Sequence, residues 1–293
     1  MQQEEARHEN DGASFANIPS EKNLPIREKC MIQIEVTPKS IRKGLSANAL
    51  KLIAILAMVV AHFGHIFIPY EQTLLSTINS FINNITAPII FYFLVVGYRN
   101  TRNANRYMLR MALLAVISYA PFIMALRGSL PNAGNFLTLN VGFTLFLGLC
   151  LLRVQHEVEE KWLKYLITGL LFLFSAFGDW NYRALLMVLI FDRYYDDYKN
   201  QVFVFVIFAL SSDFLSMALQ PFSMLRYGAH ITLNSTMDFS IYPHVISELG
   251  RFFSIWLLRF YDGSKGKGGA LAKYGFYIIY PLHLLILGLL QMN

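Results

Sequence analysis

The stretch LSANALKLIAILAMVVAHFGHIFI, residues 45–68, decides the fold. An α-helix rises 1.5 Å per residue, so about 20 mostly apolar residues cross the roughly 30 Å hydrocarbon core of a bilayer. Residues 45–68 meet that length and read as a membrane span, with three ionisable side chains in it: Lys51, His62 and His65. Working outward, apolar runs of similar length recur at 78–98, 108–126, 136–153, 162–178, 201–220 and 274–291. Two weaker runs lie at 182–195, with a short apolar centre, and at 241–260, which carries His244, Glu248 and Arg251.

Composition agrees. The 293 residues are 55% hydrophobic and only 15% charged, with a mean hydropathy of +0.41. Soluble domains carry about 25% charged residues, so a single water-soluble globule, a disordered chain, a coiled coil and a disulfide-stapled scaffold are all excluded. The net charge of +6 and pI near 9.2 are explained by cytoplasmic-loop lysine and arginine, and no nucleic-acid partner is expected. Cys30 and Cys150 offer neither a metal spacing nor a disulfide framework, so no metal is expected and both read as free thiols.

The expected fold is therefore all-α, a polytopic transmembrane helical bundle of about nine spans, with seven as the alternative if both weak runs fail to span. Residues 1–44 are polar and mixed in charge, and no apolar run follows a basic start. They read as a disordered cytoplasmic tail rather than a signal peptide, ahead of one membrane domain over 45–293. With the N-terminus cytoplasmic, one side of the membrane holds Lys39, Arg42, Lys43, Arg99, Arg102, Arg106, Arg153, Lys161, Lys164, Arg193, Lys199, Lys265, Lys267 and Lys273. The other holds only Arg127, Arg183 and Arg226. This bias orients the chain N-terminus inside and C-terminus outside. The run GSKGKGG, 263–269, reads as a flexible basic loop; it lacks the strand–loop–helix setting of a phosphate-binding loop.

An ionisable residue inside a span costs about 2.5–3.5 kcal/mol at the centre and asks for a functional reason. Lys51 and His62 stand 11 residues apart, about three turns plus 20°, so they share a helix face about 16.5 Å apart along the axis. His65 follows on a neighbouring face. A snorkelling lysine and interfacial histidines would explain the same residues more plainly. In GYRNTRNANRYMLR, residues 97–110, Arg99, Arg102, Arg106 and Arg110 gather at the cytoplasmic surface, as topology anchors or as an anion site for a phosphorylated ligand. In KYGFYIIYPLHLLIL, residues 273–287, His283 lies about 13 Å into the last span beside Pro281, which frees a backbone carbonyl. A cavity and a hydrogen bond to a neighbouring helix both account for it.

Together, LKLIAILAMVVAH (50–62), FYFLVVGYRNTR (91–102), YMLR (107–110) and YGFYIIYPLHLLIL (274–287) resemble the TraX family of pilin-acetylating membrane proteins, over residues 45–291. The first two segments also resemble the wider membrane acyltransferase-3 class, where a cation and a histidine flank ten residues. The resemblance implies an enzyme of the bacterial inner membrane, multi-pass, that moves an acetyl group from acetyl-CoA to the N-terminus of a pilin or fimbrial subunit. It implies His62 as general base, with His65 and His283 as further catalytic candidates, and Lys51, Arg99, Arg102, Arg106 and Arg110 at the acyl-CoA end. The expected partners are the pilin subunit and membrane lipid. The rival expectation is a non-catalytic fimbrial assembly factor in the same membrane. One departure stands out: Ala61 replaces the acidic residue that family members carry directly before the histidine. Another group must then orient His62, and Glu71, Asp179, Asp213, Asp238 and Glu248 are the candidates.

Overall fold

The computed structural model describes residues 44–68, 74–211 and 241–292 of the chain. The tail expected over 1–44 lies outside them except for Gly44, as do Glu71, Asp213 and Asp238. Among the described residues there are ten helices and no strand. They are α1 (Ala47–Phe67), α2 (Leu74–Asn100), α3 (Ala104–Ile117), α4 (Tyr119–Arg127), α5 (Val141–Glu157), α6 (Lys161–Ser175), α7 (Asn181–Arg193), α8 (Tyr198–Ser211), α9 (Ile241–Leu258) and α10 (Gly269–Met292).

Local chemistry sets the boundaries. Ser46 caps α1, its hydroxyl accepting from Ala49 N at 3.3 Å. Ile68 precedes Pro69, which forces it out of the helical region, and α1 stops there (φ −93°, ψ 124°). The expected span 108–126 is two helices bent by 43° at Ser118. Pro121 explains the break: its ring would clash with the carbonyl of Ile117 if the helix ran on. Asn140 caps α5 through Phe143 N at 3.2 Å and donates its side-chain amide to Ala115 O at 2.7 Å, tying α5 to α3 just before the bend.

Length and composition qualify α1, α2 and Tyr274–Met292 within α10 as membrane-crossing helices, and the bent pair α3–α4 as a fourth. Helices α6 and α7 have only 15 and 13 residues, below the roughly 17–25 that cross a hydrocarbon core, and α5, with 17, stands at the lower limit. The segment 201–220 lies partly outside the described residues. Helix length and composition together therefore carry three or four spans among the described residues, and not nine.

Helix α2 is the centre of the bundle and packs against α1, α5, α7 and α9. Its buried face runs through Ile89, Phe91, Phe93, Leu94 and Val95. Helix α10 packs on α4 and α1. Small residues let these backbones approach, as at membrane helix interfaces generally. A Cβ on Gly250 of α9 would strike Phe81 O of α2, and one on Gly288 of α10 would lie 2.7 Å from Met124 Cβ and 3.0 Å from Ala125 N of α4. Helix α6 is peripheral, with Trp162, Tyr165, Leu166, Leu170, Leu173 and Phe174 exposed.

The loops sort into two ends. At one, Leu45 N donates to Phe260 O (2.7 Å) and Arg153 to Asn105 Oδ1 (2.6 Å). At the other, Leu139 N donates to Phe177 O (2.9 Å) and Asp179 N to Leu139 O (2.8 Å). Loops that the charge count groups together meet at the same end. The Gly-rich loop is more tightly held than its sequence suggests. Ser264 O and Lys265 O accept from Ala47 N (2.9 Å) and Asn48 N (3.2 Å), filling the open donors of the first turn of α1. Gly266 sits there at φ +79°, where a Cβ would strike Ser46 Oγ.

Candidate functional site

Helix α1 carries a polar group toward each end. At the far end, His62 Nδ1 lies 2.8 Å from His283 Nε2 of α10. The ring planes differ by 19° and the centroids are 5.1 Å apart, so the imidazoles meet edge to edge. His283 is buried, and its Nδ1 lies 2.8 Å from Ile279 O, one turn back on its own helix. Asn79 of α2 crosses close by, its amide donating to Ala61 O at 3.1 Å and its side chain filling the space that a Cβ on Gly64 would need. His65 is exposed.

At the near end, a cavity of about 360 Å³ opens between α1, α2, α3, α5, α10 and the Gly-rich loop. Among the described residues, three cations line it, Lys51, Arg110 and Lys265, and no carboxylate does. Asn100, Thr101, Tyr107 and Tyr277 add polar groups, while Ile55, Phe93, Met111, Leu145 and Phe276 make the inner wall apolar. The Lys51 ammonium stands 5.1 Å over the Phe93 ring and the Arg110 guanidinium 5.5 Å from the Tyr107 ring. Arg110 Nε is buried and has no hydrogen-bond partner among the described residues. A desolvated guanidinium nitrogen of this kind is satisfied by an anionic oxygen. A small concave site with a few polar groups on an apolar wall suits part of an organic ligand.

The arginine cluster divides. Arg110 joins Lys51 in the cavity wall. Arg99 does not line it: Nε donates to Asp192 Oδ1 at 2.9 Å, Nη2 to Asp192 O at 2.7 Å, and the guanidinium lies 4.4 Å over the Tyr195 ring. His156 Nε2 approaches the same carboxylate at 2.9 Å. This clamp joins the ends of α2, α5 and α7, and reading the sequence missed it, because nothing in the local pattern of 153–157 or 184–193 links His156 to Asp192. Arg102 and Arg106 are exposed and outside the cavity lining.

The acidic candidates for orienting His62 resolve as far as they are described. Asp179 takes a hydrogen bond from Trp180 N (3.1 Å), and Glu248 pairs with Arg251 at 2.7 Å. The hydrogen-bond partner of His62 among the described residues is His283. Cys150 is a free thiol, and Cys30 lies outside the described residues. No cluster of three or more metal-ligating side chains is found among the described residues.

The fold and site define a class: a helical protein with several helices fit to cross a membrane, a cation-lined cavity at one end and a histidine pair joining two helices toward the other. The family of TraX proteins matches residues 46–291, and the chain belongs to that family. It is also similar to the probable fimbrial assembly protein FimC, serogroup H1, of Dichelobacter nodosus, with 26% identity over 251 residues, 83% of this chain and 94% of that one. No solved structure matches the chain.

Proposed function

We propose that this protein is a multi-pass acyltransferase of the bacterial inner membrane that acetylates the N-terminal amine of a pilin or fimbrial subunit, using acetyl-CoA, during fimbria or pilus biogenesis. The chain crosses nine times, N-terminus inside and C-terminus outside, with the short helices α5 and α7 crossing against α2 and α6 against α5 and α7 at the periphery. The observation that carries the reading is the arrangement of α1. One end borders a cavity rimmed by Lys51, Arg110 and Lys265, and the other presents His62 held by a second helix.

The cations bind donor phosphates, and Arg110 Nε gains its missing partner there. The cavity holds the start of the pantetheine arm, which points along Ile55 and Phe276 toward the histidines. The acceptor must lose a proton, because an ammonium has no lone pair to attack a carbonyl. His62 takes that proton as the amine nitrogen bonds to the thioester carbon. The carbon–sulfur bond then breaks, and the thiolate leaves and is protonated as free CoA.

Membership of the TraX family supports this reading, and the fimbrial role named for the D. nodosus relative supports the setting. That same name keeps a non-catalytic assembly factor as the second reading. The mass of the pilin subunit, from cells with and without this protein, separates the two. A subunit lighter by one acetyl group in its absence supports the enzyme. Unchanged mass with lost fimbriae supports the assembly factor.

A further inference from the structure

The histidine pair contains more than a contact. Ile279 O is a carbonyl and can only accept, so His283 Nδ1 carries the proton of that 2.8 Å hydrogen bond. A neutral imidazole has one N–H and one lone pair, so Nε2 of His283 is then an acceptor. No carboxylate contacts His283 among the described residues, and a buried imidazolium without one is costly, which leaves the neutral ring. The partner at 2.8 Å, His62 Nδ1, must therefore be the donor. This leaves the lone pair of His62 on Nε2.

Resting on the acyltransferase reading, we infer that His283 is a positioning residue that locks His62 in its Nδ1–H tautomer, making Nε2 the atom that takes the proton. The chain Ile279 O, His283, His62 runs from a backbone carbonyl of α10 to the base on α1. It does for His62 what a carboxylate does elsewhere: it fixes which ring nitrogen is basic and which way it points. The anchor is rigid, since Ile279 lies one turn before His283 in a packed helix, and Ala61 needs no acidic side chain. The uphill direction of the proton is also set. As Nε2 accepts, the positive charge is shared toward His283, whose own Nδ1–H is already held by Ile279 O.

Two substitutions and two readouts test this. The full chain is placed in lipid nanodiscs with acetyl-CoA and a peptide of the pilin N-terminus. In His283→Gln the side-chain oxygen reaches roughly where Nε2 stood and still accepts from His62 Nδ1, whereas His283→Leu removes the acceptor. We expect His283→Gln to stay within about 10-fold of the unaltered protein, and His283→Leu to fall by about 10²-fold or more in kcat with KM for acetyl-CoA unchanged, since holding a base in its productive tautomer is worth up to about 10⁴-fold in other enzymes. Equal rates in the two variants would overturn the inference. The second readout needs no activity. In ¹⁵N-histidine-labelled protein, with His62 assigned by its loss in His62→Ala, His62 should show a protonated Nδ1 and a bare Nε2, and a mixture of tautomers in His283→Leu. The reverse tautomer in the unaltered protein would overturn the inference. If the unaltered protein transfers no acetyl group, the acyltransferase reading fails, while the NMR still decides the tautomer.

Discussion

At the scale of single residues, His62 carries the proposed chemistry, and its relation to Lys51 was legible because one helix carries both. The interval from Lys51 to His62 is a whole number of turns to within about 20°, so periodicity alone placed both on one face. The bond to His283 was not legible, because it joins residues 221 apart in sequence and depends on how α10 packs on α1. His62→Ala should cut acetyl transfer by about 10²–10⁴-fold with normal insertion in the membrane, and His65→Ala should cut it far less, its side chain being exposed. A cell assay of pilin acetylation reads both, and equal losses would move the base away from His62. The arginines separate in the same way. Lys51→Gln and Arg110→Gln should each raise KM for acetyl-CoA, more so at low salt where charge counts most, whereas Arg102→Gln and Arg106→Gln, outside the cavity lining, should not. A titration of rate against acetyl-CoA in the four variants decides it. Asp179, in the turn between α6 and α7, makes a separate test. Burial pushes its carboxyl up to about 6, so the folded protein resists its ionisation. At neutral pH the fold then carries a desolvated charge, and the loss of stability sets in as pH rises from about 4, where the unfolded side chain ionises, to about 6. Asp179→Asn should raise the thermal midpoint at pH 7 and leave it unchanged near pH 3.5; a lower midpoint at pH 7 would mean that the ionised carboxylate is held by a partner.

At the scale of elements, the all-helical character followed from apolar runs of spanning length, and α1, α2 and α10 fall where those runs predict. What departed did so for local reasons. The third run breaks at Ser118 because Pro121 cannot continue a helix from Ile117, a signal present in the sequence but outweighed by the length of the run. Helix α5 starts later than its run because Asn140 caps it, α6 ends at Ser175 ahead of the turn that holds Trp180 and Asn181 at φ 64° and 38°, and α7 ends at Arg193, two residues short of its run. The Gly-rich loop looked flexible by composition, yet its carbonyls cap α1, an arrangement visible only once residues 264–266 and 46–48 meet. Helix contact through small residues gives a prediction at this scale. Gly288→Leu would drive α10 away from Met124 and Ala125 of α4, and with it the helix that carries His283. We expect a clear drop in thermal midpoint in detergent together with lost acetylation. A midpoint unchanged by the leucine would show that α4 and α10 do not pack here.

At the scale of the whole molecule, the Lys and Arg count groups the loops, while helix length decides only three or four of the crossings. The Lys and Arg count sorts the loops into two groups, and the loops of each group meet at one end of the bundle, where hydrogen bonds such as Leu45 to Phe260 and Leu139 to Phe177 join them. Hydropathy alone does not decide which short helices cross, because α5 and α7 pack on α2 and a sheltered helix need not meet the length rule for one facing lipid. A reporter fused after Asn293 should be active only outside the cytoplasm, and activity only inside would reverse the proposed orientation. The central claim is that the two ends of α1 act together, binding the donor at Lys51 and taking the proton at His62. The purified chain in liposomes, given isotopically labelled acetyl-CoA and a peptide of the pilin N-terminus, tests it most directly. The account predicts one labelled acetyl group on the peptide's α-amine, absent when His62→Ala replaces the unaltered protein. No label with either protein, or the same label with both, would contradict it.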